Sequence, residues 1–183
     1  MNKSTTRSKA TLGQQDEGNQ NVKAAGKDRR PEVRIYTDGA CLGNPGPGGY
    51  GVVLLYGESR KELSGGYRLT TNNRMELMAA IVGLESLTVP CRVTLFTDSQ
   101  YVVNAMTKGW AQRWRQQGWM RNKKEKALNP DLWEKLLTLC RRHEVIFIWV
   151  RGHAGDPENE RCDLLSKQAA QGEDLPDDAG YLA

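Results

Sequence analysis

Residues 35–51 read IYTDGACLGNPGPGGYG, and the stretch changes character at its fourth residue. Val33 and Ile35 alternate as β-branched residues of a strand, which Asp38 ends. The thirteen residues after Asp38 contain six glycines and two prolines. Glycine weakens strands and proline removes a ladder donor, so such a run needs a reason. Two stand open. Asp38 is a turn-maker followed by glycine, or the chain is clearing space around a carboxylate.

Working outward, residues 33–37, 51–56 and 62–68 read as three strands of an antiparallel meander joined by Gly-rich or charged turns. TTNNRMELMAAIVGLESL (70–87) opens with capping residues and carries Met75, Met78, Ala79, Val82 and Leu87 near helical spacing. RVTLFT (92–97) is a compact strand and DSQYVVNAM (98–106) a helix. A helix over 131–142 leads to a fifth strand over 144–150, and 156–172 form a last helix closed by Gly172. Three meander strands followed by α-β-α-α-β-α predict an α/β fold, a mixed five-stranded sheet with helices on both faces.

The chain has 183 residues, 38% hydrophobic and 7% aromatic, enough for one domain with unpacked tails. No apolar run approaches the roughly 18 residues of a membrane span, and no signal-like block opens the chain. Cys41, Cys91, Cys140 and Cys162 make no CxxC pair, the pattern of reduced thiols, so a cytoplasmic location is expected. The net charge of +4 sits entirely in residues 1–30, with seven basic and three acidic residues. The remaining 19 basic and 19 acidic residues balance. Residues 1–30 lack apolar periodicity and read as a disordered basic arm, residues 31–172 as the folded domain, and residues 173–183 as a flexible acidic tail.

Four acids fall at or near element ends: Asp38, Glu76, Asp98 and Asp163. If the first and fourth strands are neighbours, Asp38 and Asp98 emerge together at their carboxyl ends, where open α/β sheets bind ligands. Carboxylates held close raise each other's pKa unless a cation lies between them. Oxygen ligands without a Cys/His cluster point to Mg²⁺ or Mn²⁺ rather than zinc. Each acid has a plainer reading: a turn for Asp38, an N-cap for Asp98, a capping box after Asn73 for Glu76, a solvated helix face for Asp163. His153, in a Gly-flanked loop, suits proton transfer. His143, at a helix C-terminus, is explained by the helix dipole.

Residues 108–126 (KGWAQRWRQQGWMRNKKEK) hold seven cations against Glu125, with Trp110, Trp114 and Trp119 interleaved. The charges fit a nucleic-acid grip. The tryptophans fit either stacking on the ligand or, with Trp110 and Trp114 at i, i+4, a core-facing stripe.

TDGACLGNPGPGGYG, TTNNRMELMAAI, TDSQYV, DLW and GHAGDPENERCD, in this order, resemble the segments of bacterial type 1 ribonuclease H. The resemblance covers about residues 33–171. It implies a ribonuclease H-like fold with strand order 3-2-1-4-5, and hydrolysis of the RNA strand of RNA–DNA hybrids to 5′-phosphate and 3′-hydroxyl ends. Asp38, Glu76, Asp98 and Asp163 match the family's metal-binding acids, His153 its loop histidine. Two Mg²⁺, roughly 3.5–4 Å apart, would flank the scissile phosphate, with Mn²⁺ as a substitute. Asn44, Asn72 and Gln100 match positions that touch the strands, where amides can recognise the RNA 2′-hydroxyl. Thr71, Asn73 and Cys41 are expected beside them, Asn159 near the ion network, and Trp110, Arg113, Trp114 and Arg115 on the hybrid. The Gly-rich run would let backbone approach the minor groove. One departure stands out: Arg115 and Gln116 replace a lysine pair often found in relatives, which points to weaker hybrid affinity at high salt. The expected enzyme is a monomer whose partner is the hybrid duplex, with no membrane. A DNA-directed nuclease of the same fold and a non-catalytic hybrid-binding protein are the alternatives.

Overall fold

The computed structural model describes residues 29–182; all of the basic arm except Arg29 and Arg30 lies outside them. Three strands, β1 (Glu32–Cys41), β2 (Gly46–Tyr56) and β3 (Ser59–Thr70), form the antiparallel meander. Helix α1 (Asn72–Glu85) leads to β4 (Arg92–Thr97), then α2 (Gln100–Thr107), α3 (Trp110–Gln116), α4 (Pro130–Arg142) and β5 (Glu144–Trp149). Helix α5 (Pro157–Ala170) and one turn of α6 (Ala179–Leu182) complete the order. β4 pairs in parallel with β1 and β5, so the sheet order is β3-β2-β1-β4-β5, the mixed sheet expected.

Alternation along β1 sends side chains to two cores. Val33 and Ile35 meet Val52, Leu95, Ile81, Leu84, Trp133 and Leu136 on the face covered by α1 to α4. Tyr36 and Val53 meet Cys162 of α5 on the other. Complete burial of side chains such as Ile35, Leu84 and Leu95 contributes about 1.5–3 kcal/mol each. Helix α1 is buried nearly all round, Leu77, Ala80, Ile81 and Leu84 included, because it lies between the sheet and α4.

The Gly-rich run is strand rather than turn over most of its length. β1 continues past Asp38, pairing Asp38 with Gly51 and Cys41 with Gly48, while its parallel ladder with β4 stops at Thr37. The glycines let helices press on the sheet. A Cβ at Gly39 would strike the Met75–Glu76 backbone of α1, and one at Gly51 the Cys162 carbonyl of α5. The clearance expected for a nucleic-acid backbone is used, at these positions, by the protein's own helices.

Two further expectations are corrected. His143 is buried, and its Nδ1 accepts the Cys91 backbone N–H at 3.2 Å. Burial, then Arg142, lowers its pKa, so it is a neutral acceptor and not a cation on the helix dipole. The tail is fastened: the Arg68 N–H donates to the Pro176 carbonyl at 3.0 Å, Arg68 also pairs with Asp177, and Asp178 is buried against Arg74. A cation buried at 2% exposure has to find carboxylates, and the acidic tail supplies one.

Candidate active site

Thr71 caps α1 from extended backbone, its hydroxyl accepting the Arg74 N–H at 3.4 Å. Counting from that cap, Glu76 lies beyond the third helical position, so the capping-box reading does not hold. Ser99, not Asp98, caps α2 and accepts the Val102 N–H. Asp38 sits inside the β1–β2 ladder and makes no turn. With the plainer roles gone for three acids, their carboxylates converge: oxygens of Asp38, Glu76 and Asp98 lie within 4.8 Å of one another. That span suits opposite ligands of a hard cation with bonds of about 2.0–2.6 Å.

The electrostatics of the cluster are unfavourable as it stands. Asp38 is pushed up to about 7 by burial and by the neighbouring Asp98, although the Ser166 hydroxyl donates to its Oδ2 at 3.1 Å. Glu76 is pushed well above the usual carboxylate range by burial, then by Asp38 and Asp98. Gly39 N–H and the Asn72 side chain donate to it, yet its Oε2 is buried without a partner. Two acids driven toward neutrality around an unpartnered oxygen form a donor set that a divalent cation would relieve. The oxygen-only chemistry fits Mg²⁺ or Mn²⁺.

Asp163 stands apart. It lies on the second turn of α5, one quarter exposed, paired with Lys167 at 2.8 Å, so its solvated-helix reading survives. Its charge still raises Asp38. His153 is exposed in the loop after β5 with φ +54°. That loop reaches the cluster through Gly152, where a Cβ would collide with Asp98 Oδ2. The Trp149 indole N–H donates to the Asp98 carbonyl at 3.1 Å and fixes the end of β4.

Beside the acids, Asn44 Oδ1 accepts the Asn72 backbone N–H at 3.2 Å, tying the glycine-rich turn to the start of α1. Thr71 and Asn73 are half-buried there, Cys41 lies next to them with its thiol toward the Thr70 carbonyl, and Gln100 is exposed at the start of α2. Asn159 is buried in α5 with its Nδ2 unpartnered.

The basic segment divides. Trp110 keeps a half-exposed ring under Lys108, whose ammonium lies 5.0 Å from the ring centroid. Trp114 is a core residue, 9% exposed and edge-on to Trp133. Arg113 and Arg121 line a groove together with Trp110, Tyr101 and Leu128, whereas Arg115 pairs with Glu134 at 2.7 Å. The sequence reading missed Ser166, Gly152, Arg74 and Asp178. Only Ser166, one helical turn after Asp163, had a spacing that could have singled it out.

The RNase H family model matches residues 30–171. The ribonuclease H of Syntrophus aciditrophicus is 72% identical over 157 residues, which span 86% of this chain and 91% of that protein. That of Trichodesmium erythraeum is 66% identical over 154 residues, 84% and 98% of the two chains. Among solved structures, LC9-RNase H1, a type 1 RNase H, is 34% identical with a TM-score of 0.71, over 82% of this chain and 76% of that one. LC11-RNase H1, solved in complex with an RNA/DNA hybrid, is 26% identical with a TM-score of 0.58, over 75% and 96%. Sheet order, carboxylate cluster and these matches along almost the whole domain agree, and the chain belongs to the ribonuclease H family.

Proposed function

We propose that this chain is an endoribonuclease that hydrolyses the RNA strand of RNA–DNA hybrids with divalent cations, leaving 5′-phosphate and 3′-hydroxyl ends. The observation that carries the reading is the triad of Asp38 and Glu76, both buried, with half-buried Asp98, whose oxygens lie within 4.8 Å of one another, one Glu76 oxygen lacking any partner. Asp38, Glu76 and Asp98 would hold the metal, with Asp163 at the margin of the site. Two Mg²⁺, or Mn²⁺ in their place, would supply an activated water and neutralise charge at the leaving 3′-oxygen.

The chain's own residues do the rest. Ser166 and the Gly39 N–H orient the Asp38 and Glu76 carboxylates. His153 follows Gly152, whose backbone lies against Asp98, and would move a proton near the leaving group. Asn44, Thr71, Asn72, Asn73 and Gln100 lie beside the acids, where an amide or hydroxyl can test for a 2′-hydroxyl. Trp110, Arg113 and Arg121 face the groove that would grip the opposing strand by stacking and phosphate contact. Arg115, already paired with Glu134, contributes less. The reading carries with it a monomer working in the cytoplasm, where thiols stay reduced.

The test uses one labelled RNA strand alone, paired with RNA, and paired with DNA, each with Mg²⁺ and with EDTA as control. Cleavage confined to the hybrid and abolished by EDTA is expected. Binding without cleavage in both Mg²⁺ and Mn²⁺ would replace the enzyme by a hybrid-binding protein. Cleavage of DNA would point to the DNA-directed alternative.

A further inference from the structure

Arg74 stands in the first turn of α1, 2% exposed, and its guanidinium is fully engaged. Nε and one terminal nitrogen donate to Asp178 at 2.6 and 2.8 Å. The terminal nitrogens also donate to the two Asp131 oxygens at 3.0 and 2.7 Å, with the Asn129 amide oxygen at 3.4 Å. The Thr70 hydroxyl, one residue before the α1 cap, closes on Asp178 at 2.6 Å. One cation therefore ties together three segments far apart in sequence: the start of α1, the start of α4 just beyond the basic segment, and the tail. The fit is tight, since a Cβ at Gly180 would strike Asp131 and Arg74.

The three segments share a surface. Gly180 and Tyr181 of the tail line a groove with Asn44, Thr71, Asn73 and Leu128. Leu128, Asn73 and the groove of Trp110 and Arg113 are continuous with it. Burial alone would raise the Asp178 carboxyl, but Arg74 and Thr70 hold it below the usual carboxylate range, so the clamp is charged at neutral pH.

We propose that Asp178, acting through Arg74, is a positioning residue for substrate, and that the tail forms the third wall of the hybrid-binding surface. The proposal rests on the functional reading above. Its effect falls chiefly on binding, because Glu76, although it also accepts from Asn72, is held from outside the first turn as well. The Gly39 N–H donates to Glu76, and the neighbouring Met75 and Leu77 are fully buried. The first turn, with Thr71, Asn72 and Asn73, depends on the clamp.

The test is steady-state cleavage of an RNA–DNA hybrid by full-length wild type, Asp178→Ala, Asp178→Glu and, as a milder probe should the alanine variant not fold, Thr70→Val. Leu136→Ala in the α4 core serves as a control of comparable thermal destabilisation. Well below the melting temperatures, Asp178→Ala should raise KM roughly tenfold with kcat within about threefold, because ground-state and transition-state binding fall together. Asp178→Glu should recover part of the loss, and Thr70→Val should shift KM in the same direction by less. Equal KM changes in Leu136→Ala would reduce the clamp to general stability, and an unchanged KM in both Asp178→Ala and Thr70→Val would overturn it. Fluorescence anisotropy on labelled hybrid separates the two levels. A wild type that binds without cleaving defeats only the catalytic reading, and a tenfold affinity loss in Asp178→Ala would still uphold the tail's role.

Discussion

Asp38 places opposite demands on the molecule. A carboxyl raised from an unfolded value near 3.9 to about 7 in the fold costs stability as it ionises. The loss begins near pH 4 and is complete above about 7, so without a cation this group destabilises the chain as pH rises through that window. Asp38→Asn removes the cost together with the ligand. In EDTA the variant should exceed wild type by on the order of a few kcal/mol at pH 8 and match it near pH 4. Hydrolysis should fall at least about a hundredfold, the scale seen when a group that stabilises transition-state charge is removed. Urea midpoints at both pH values check the first part; a gain that ignores pH would show that the carboxylates do not repel as placed. His143 titrates with the opposite consequence. Its pKa is lowered by burial, so its contribution is present above the unfolded value of about 6.5 and is lost as pH falls through the folded one. Its imidazole NMR signals should titrate at a lower pH than those of an exposed histidine.

At the scale of elements, the glycines decide how closely helix and sheet approach. α5 lies against β2 so tightly that a Cβ at Gly51 meets the Cys162 carbonyl and Leu165. Gly51→Ala must push α5 outward, and with it Ser166, the donor to Asp38. Overpacking of this kind costs typically about 1–3 kcal/mol. The variant should show a lower denaturant midpoint and, at temperatures where it is folded, a reduced kcat. An unchanged kcat would mean that the Ser166 contact is dispensable. These contacts mark the limit of what the sequence could tell. β4, α5 and the Asp38–Asp98 pairing were legible because alternation, caps and strand ends are local signals. The glycine run was misread as a turn, since a glycine admitting a helix and a glycine making a turn look alike without the partner. The tail was misread as loose for a related reason. Its acids offer no periodicity, and their purpose is set by Arg74, more than a hundred residues away.

Across the whole molecule, charge is divided by task. Buried Asp38 and Glu76 and half-buried Asp98 gather where the β1–β4 ladder stops, while cations stand exposed around α3 and the loop that follows it. Among the described residues Arg115 is already answered by Glu134, so on the proposed function the grip on phosphates would fall to Arg113, Arg121, Lys123 and Lys124, all exposed. Each phosphate contact releases counterions and steepens the fall of log affinity with log salt by about 0.7–0.9. Replacing those four residues by glutamine should flatten that slope by roughly 3–3.5 and weaken hybrid binding most at low salt. Arg115→Gln should change the slope by well under one contact's worth, because its charge is shared with an acid of the same molecule. Anisotropy titrations of a labelled hybrid over a KCl series, run in EDTA to prevent cleavage, measure both. If Arg115→Gln flattens the slope as much as Arg113→Gln, the Glu134 pair opens on binding and Arg115 belongs to the grip after all.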